Sequence, residues 1–543
     1  MLDRLAHTLR AGAHRPAVLG HTRSGAVRVR ATCGDLADLS EAYAAALHAR
    51  GLARGDTIGV AVRPGPRALA LILAAHRLGL RAAVLDPGAG PEVLSARLAL
   101  ARPALVLADA TAQAVAGWAG RPARRAGLAL PDLASLGPVA TLGRRLPGCA
   151  PRLDLDVSRR PLPAPAADPD ADAVIVFTSG TTARPRAVVH SRAGLAAGMD
   201  AVAALVGPRA GAPVLGGTFF VLVPALAHGA PVALPARSPR VLARQLRRLA
   251  PQATYLTPPQ LRAALAERAR FTGRVWTGSA PAGARLLGRV RQAGAAEAWG
   301  VYALTELFPA AAVEHAEKAA FHGAGDLVGA PLPGVRARPD ASGELLLAGP
   351  AARDRYLGEQ PAAWVRTGDR ARLDGGRIVL EGRLKDMVLR GAENIYPGLH
   401  EPALHTAEVE LAVLVGVPAG DGDELLVALV QPRRGADPRR VRAALAGPLR
   451  RMGAARPDAV LLTDVPLAGR SRKPDRAAAA RRAAAALAER DRDRPRRFPP
   501  PRRRPRRGEP PPPVRPAGPG PGPAGGAPPA PPAAPPHPTE HSR

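Results

Sequence analysis

The stretch VFTSGTTARPRAVVHS, residues 176–191, places hydroxyls and backbone donors directly after an apolar run, AVIV (173–176), that reads as a buried strand. A strand running out into Thr178, Ser179, Gly180, Thr181 and Thr182 gathers successive amides and hydroxyls around one concavity. Consecutive amides in such a turn form an anion-binding nest, and Arg184 and Arg186 add positive charge beside it. The chemistry this suits is the cradling of a phosphate. The Gly-Lys-Ser/Thr ending of the nucleoside-triphosphatase P-loop is missing, and taken alone the stretch also fits a polar surface loop. A second signal is the lysine inventory. Of 76 lysines and arginines only Lys318, Lys385 and Lys473 are lysine. A compact ammonium and a planar guanidinium are not interchangeable at a reaction centre. Lysines that survive in so arginine-rich a chain therefore mark positions where the difference matters.

Five elements along the chain resemble, in order, the signatures of the adenylate-forming superfamily: acyl-CoA synthetases, adenylation domains of peptide synthetases, and luciferases. The first is the stretch above, similar to T-S-G-T-T-G-x-P-K-G-V, with Ala183, Arg186 and Ala187 in place of glycine, lysine and glycine. WGVYALTE (299–306) resembles the Y-G-x-T-E element, and VRTGD (365–369) the T-G-D element. EGRLKDMVLRGAENIYP (381–397) resembles the G-R-x-K-D…G-x-N-I-x-P hinge segment, and PLAGRSRKPDR (466–476) the terminal P-x-x-x-x-G-K-x-x-R loop. TCGDLADLS (32–40) is similar to the family's early helix start, and RVWTGSAPAGARLL (274–287) to its G-G-A-P strand and helix. Two of the three lysines, Lys385 and Lys473, fall on motif positions.

The resemblance implies that ATP and a carboxylic acid form an acyl-adenylate with release of pyrophosphate, and it assigns roles. Thr178, Ser179, Gly180, Thr181, Thr182 and Arg186 would hold phosphate, and Thr305 would touch the α-phosphate. Glu306 would hold Mg²⁺, a hard cation suited to carboxylate oxygen. Tyr302 would stack on adenine, with Ser279 and Ala280 on the adenine side. Asp369 would accept from the ribose hydroxyls, and Arg383 would contact ribose or phosphate. Lys473 would neutralise the carboxylate and α-phosphate, and Lys385 would sit at the hinge of a rotating C-terminal domain. Phe219, Phe220, Gly278, Ser279 and Ala303 are candidates for an acyl pocket suited to an apolar or aromatic acid. Read without the resemblance, Thr305 and Glu306 could instead open a helix as N-cap and first-turn acid. Tyr302 could then be a core aromatic and Asp369 a turn residue.

Four departures bear on the second step: Gly300 and Ala303 in the Y-G-x-T-E element, Ala392 in the hinge segment, and Arg472 before the terminal lysine. Coenzyme A is the expected acceptor, which would make the chain an acid–CoA ligase. A carrier-protein thiol, an internal nucleophile as in β-lactone-forming synthetases, and an amine stay open. A reading of another class is a non-catalytic binder on a decayed fold, against which the retained Glu306, Asp369, Arg383 and Lys473 speak.

These residues need a scaffold. At 543 residues the chain exceeds one ordinary core. Apolar runs such as 56–62, 81–86, 171–177, 231–236 and 253–257 alternate with helical patterns such as 68–79, the signature of α/β architecture with parallel sheets. The resemblance implies a large N-terminal domain over residues 1–382, with two α/β layers and a small β-barrel. A smaller mobile α+β domain would follow over 383–488. A Pro/Arg-rich tail, 489–543, holds 20 prolines from Pro495 onward and has no apolar periodicity with which to fold. The net charge of +31 comes with only 3% aromatic residues, so no basic stripe interleaved with aromatics points to nucleic acid. The start has no apolar h-region, and two cysteines, Cys33 and Cys149, form no metal or disulfide framework. A cytoplasmic protein is expected. Residues 210–236 carry no charge over 27 positions, long enough to span a bilayer. Their prolines and glycines point instead to buried strands joined by turns, with no membrane insertion.

Overall fold

The computed structural model describes residues 1–85, 91–116, 119–120, 133, 137–156, 162–163, 168–177, 186–390, 393–420, 423–468 and 472–492. Two large sheets carry the first part of the chain. In one, seven strands run in the order Arg355–Tyr356, Ala187–Ser191, Asp172–Phe177, Arg81–Val84, Thr57–Ala61, Leu105–Asp109, Val139–Leu142. The last five pair in parallel. Thr57–Ala61 and Leu105–Asp109 are buried at every position, as expected of strands covered on both faces. The other sheet has eight strands, ordered Ala311–Glu314, Glu297–Tyr302, Arg274–Thr277, Ala253–Tyr255, Val214–Leu215, Val232–Ala233, Pro16–His21, Val27–Thr32. Its interior pairings are parallel and its edge pairings antiparallel. The alternating pattern in the sequence thus becomes an α/β fold. The early helix start is a capping box: Thr32 accepts from the Asp35 amide and Asp35 from the Thr32 amide, opening helix Cys33–Ala49.

The uncharged window differs from expectation. Residues Phe219–Ala227 form a helix between the two short strands Val214–Leu215 and Val232–Ala233. Every residue from Val221 to Ala227 is buried. A helix buried on all sides loses its 3.6-residue stripe, so nothing in the apolar run separates it from a strand. Pro224 sits inside this helix and costs it one backbone donor. No helix among the described residues is long and apolar enough to cross a membrane.

Where a small barrel was expected, Asp326–Gly329, Arg377–Arg383, Val365–Asp374, Glu344–Ala348 and Arg336–Pro339 form a five-stranded antiparallel sheet, in that order. Lys318 lies buried beside it, its ammonium 2.6 Å from Asp326. The strand Arg377–Arg383 leads into a short 3-10 turn, Leu384–Asp386. Beyond it the chain builds cores of its own, one around Leu404, Leu414, Leu426 and Val441, another around Val415, Val427, Ala479 and Ala483. The sheet there is Val409–Gly420, Asp423–Pro432, Ala459–Leu462. A two-residue pair, Leu467–Ala468 with Lys473–Pro474, precedes the alanine-rich helix Arg476–Arg492. Gly382 and Gly398 meet backbone to backbone at the junction: a Cβ on Gly398 would lie 2.6 Å from the Gly382 Cα. Residues 489–492 of the expected Pro/Arg-rich tail end the helix Arg476–Arg492, and 493–543 lie outside the described residues.

Candidate active site

The strand Glu297–Tyr302 is pinned by a stacked pair, Trp299 against Trp276 of the neighbouring strand, with ring centroids 5.0 Å apart. After Tyr302 the chain leaves the sheet as a bend, not a helix, so Thr305 and Glu306 cap nothing. Their backbone is tied from behind. The His190 Nε2 lies 2.8 Å from the Thr305 carbonyl, and since a carbonyl only accepts, Nε2 carries the proton. The Arg353 amide donates to the Glu306 carbonyl at 2.6 Å. The Tyr356 hydroxyl donates to Glu306 Oε1 at 2.9 Å. Arg353 and Arg186 stand over the Tyr356 ring, 4.3 and 4.9 Å from its centroid. His190 is fully buried, which holds its imidazole below the ordinary histidine value despite the Thr305 carbonyl.

Beside this bend the antiparallel register pairs Asp369 with Arg383. The Arg383 Nε is 2.6 Å from Asp369 Oδ1, and the Tyr302 hydroxyl donates to Oδ2 at 2.6 Å. Asp369 is 4% exposed. Burial pushes its carboxyl upward, and Arg383, Tyr302 and Lys473 pull against that. The same burial, with the Asp369 charge, raises the Tyr302 phenol well above its usual value.

The lysines stand on the small elements. Lys385 is exposed in the 3-10 turn Leu384–Asp386. Lys473 is solvent-accessible yet lies within the cleft. Reduced solvation there, then Arg383, lower its ammonium below the ordinary lysine value, while Asp369 and Glu306 act to raise it. Arg476 anchors the loop that carries Lys473. Its guanidinium lies 2.7 and 2.8 Å from the two Glu401 oxygens and 3.0 Å from Asp386. Away from the lysines, Glu410 faces Arg262 at 3.4 Å, Arg289 at 3.5 Å and Arg433 at 4.0 Å.

Tyr302, Thr305, Glu306, Asp369, Arg383, Lys385 and Lys473 all line one continuous cleft. Phe219, Phe220, Ser279, Ala280 and Ala303 line it too. Phe220 packs on Phe308, centroids 3.7 Å apart, and Ser279 shares a 3.1 Å hydrogen bond with the hydroxyl of the half-buried Tyr255. Gly278 has a packing reason of its own, since a Cβ there would come within 2.9 Å of the Val301 carbonyl. Arg186 stands behind the bend at Tyr356. Thr178, Ser179, Gly180, Thr181, Thr182 and Ala392 lie outside the described residues. Sequence reasoning missed Tyr356, Arg353 and Arg476's partners. Tyr356 had a signal, being one of only five tyrosines.

The donor set fits magnesium and a nucleotide. Among the described residues no three His, Cys, Asp or Glu side chains cluster as a metal cage. Magnesium needs none, because it binds through one or two carboxylates plus phosphate and water. Each Asp369 oxygen has one protein partner and a second lone pair that can accept a hydroxyl.

Comparison with known proteins agrees. The AMP-binding enzyme profile matches residues 5–357. An indoleacetate–CoA ligase from Aromatoleum aromaticum is 30% identical over 308 residues, 50% of this chain and 59% of that protein, so the chain spans less than two thirds of its length. An olefin β-lactone synthetase from Stenotrophomonas maltophilia is 28% identical over 461 residues, 73% of this chain and 80% of that protein. The solved structure of an amide bond synthetase from Marinactinospora thermotolerans superposes with a TM-score of 0.71, covering 89% of this chain and 100% of that one at 24% identity, a likeness of fold. With the family profile matching residues 5–357, the chain belongs to the AMP-binding enzyme family.

Proposed function

We propose that this chain activates an apolar or aromatic carboxylic acid with ATP and then passes the acyl group to coenzyme A. The observation that carries the reading is the convergence of Tyr302, Asp369, Arg383, Glu306 and Lys473 on one cleft. In the first step an oxygen of the acid attacks the α-phosphorus, the bridging P–O bond to the β-phosphate breaks, and pyrophosphate leaves. Charge on the transferred and leaving groups must be neutralised. Lys473 supplies positive charge at the carboxylate and α-phosphate, and Thr305 donates beside it. Asp369 accepts from the ribose, with Arg383 alongside. Tyr302 offers its ring to adenine while its hydroxyl stays on Asp369. Glu306 is the residue that would hold magnesium, whose positive charge would draw electron density from the phosphate oxygens. Thr178 to Thr182 form the phosphate loop on this reading, with Arg186 turned to Tyr356. In the second step the thiol sulfur attacks the acyl carbon and AMP leaves.

Residues 1–382 and 383–488 act as separate bodies in this proposal, turning at Arg383–Asp386 so that Lys473 serves the first step and withdraws for the second. The indoleacetate ligase supports an aromatic acid and coenzyme A, and the reaction belongs in the cytoplasm, where both nucleotides are supplied. A second acceptor is favoured by the β-lactone synthetase, which covers more of the chain. There a hydroxyl within the acyl group itself would displace AMP.

Pyrophosphate release with ATP and Mg²⁺ across aryl, alkyl and 3-hydroxy acids, with and without coenzyme A, tests this. Release that rises with coenzyme A, and a thioester product, support the first acceptor. Release from 3-hydroxy acids alone, indifferent to coenzyme A, supports the second. Nucleotide binding without release from any acid would overturn both and favour a non-catalytic binder.

A further inference from the structure

The back of the Thr305–Glu306 bend holds more charge than its fold requires. Arg353 is only 8% exposed, and its Nε and Nη1 find no hydrogen-bond partner among the described residues. A buried guanidinium without a carboxylate is costly. What it does have is the Tyr356 ring at 4.3 Å and, through its amide, the Glu306 carbonyl at 2.6 Å. Arg186, at the start of strand Ala187–Ser191, stands over the same ring. Arg355–Tyr356 pairs antiparallel with that strand, which fixes the ring in register. The Tyr356 hydroxyl then reaches Glu306 Oε1, and Oε2 has no protein partner among the described residues.

We propose that Tyr356, its ring held by Arg353 and Arg186, is a positioning residue that holds one oxygen of Glu306 and leaves the other for a divalent cation. Partners of a metal-holding carboxylate orient it and tune its affinity. Here the orienting group is a phenol, and two guanidinium groups fix its ring by cation–π contact. The inference rests on Glu306 as the metal-holding residue of the proposed reaction. It assigns to Tyr356 the metal dependence and leaves acid recognition to the other end of the cleft.

The test compares the full chain with Tyr356→Phe, Arg353→Met and Glu306→Gln. Two readouts are titrated with Mg²⁺ at fixed ATP: the rise in melting temperature that ATP causes, and pyrophosphate release. Phenylalanine keeps the stacked ring and removes only the hydroxyl. Tyr356→Phe should raise the half-saturating Mg²⁺ about 10-fold in both readouts, at the lower end of what such partners contribute. The KM for the acid should stay within about 2-fold, a separation that a general loss of structure would not give. Arg353→Met, which loosens the ring but leaves the hydroxyl, should shift the same quantity by less. An unchanged Mg²⁺ dependence in Tyr356→Phe, with Glu306→Gln strongly shifted, would overturn the proposal and leave the role of Glu306 standing. Unchanged dependence in Glu306→Gln as well would remove Glu306 from the metal and the proposal with it. If Tyr356→Phe failed to fold, Arg353→Met would decide: a wild-type Mg²⁺ curve there would overturn the proposal.

Discussion

The two halves of this site are built differently. Tyr302 and Asp369 stand on strands of six and ten residues, and a hydrogen bond of 2.6 Å joins them. Lys385 and Lys473 stand on a three-residue turn and a two-residue strand, exposed to solvent. On the proposed function, the contrast separates binding from chemistry. Groups that grip a ligand throughout belong on rigid elements, where their geometry costs no entropy at the moment of binding. Groups that must act in one step and leave in the next belong on elements whose backbone is cheap to move.

The sharpest break in that comparison is Lys473→Ala. Pyrophosphate release should fall by at least about 10²-fold, the scale of one lost electrostatic donor, while ATP binding by calorimetry changes little. A variant that released pyrophosphate at near-normal rate would remove Lys473 from the reaction. Because the Lys473 ammonium sits below the ordinary lysine value of 10.5, its charge is lost as pH rises, before an ordinary lysine would lose it. An alkaline decline in pyrophosphate release should therefore set in early in the wild type, and Lys473→Arg should postpone it.

Next in size comes the junction. Gly398→Ala would push a Cβ to within 2.6 Å of the Gly382 Cα, and overpacking of this kind costs about 1–3 kcal/mol. Chemical denaturation should show the loss, and limited proteolysis near residue 390 should quicken. On the rigid side, Asp369→Asn leaves Arg383 facing a neutral amide. ATP affinity should drop, while unfolding free energy at neutral pH should hold, because burial already raises the Asp369 carboxyl in the fold. A clear loss of stability in denaturation would mean that the Arg383 pair outweighs that burial.

The smallest effect is one of pH. His190 has a folded-state value below its ordinary 6.5, so under acid the unfolded chain binds the proton first. Its contribution is complete above pH 6.5 and is lost as pH falls below that, by about 1.4 kcal/mol per pH unit at most. His190→Gln should flatten that part of the stability curve in denaturation at pH 7.5 and 5.5.

The motif residues were legible because their spacing matched a known family; Tyr302, Asp369 and Arg383 are in contact, and Lys473 lines the same cleft. Lysine scarcity spoke less specifically than it seemed from sequence, since Lys318 is retained for a buried pair with Asp326. Arg353 was illegible for a physical reason. In a chain with 73 arginines one more carries no signal, and only the fold decides which guanidinium is buried. The helix Phe219–Ala227 was misread because full burial erases periodicity. The Gly382–Gly398 contact joins residues in two different elements, and nothing local announces it.

The seam at Glu410 has a mechanical consequence. Arg262 and Arg289 lie on one side, Glu410 and Arg433 on the other. Across it Glu410 attracts two guanidinium groups, and Arg433 is repelled by Arg289 and Arg285. Attraction and repulsion oppose one another there, which is what a joint needs if it is to release as readily as it engages. On the proposed hinge, deleting the repulsion with Arg433→Met would convert a swivel into a clasp: pyrophosphate release would persist while thioester formation slowed.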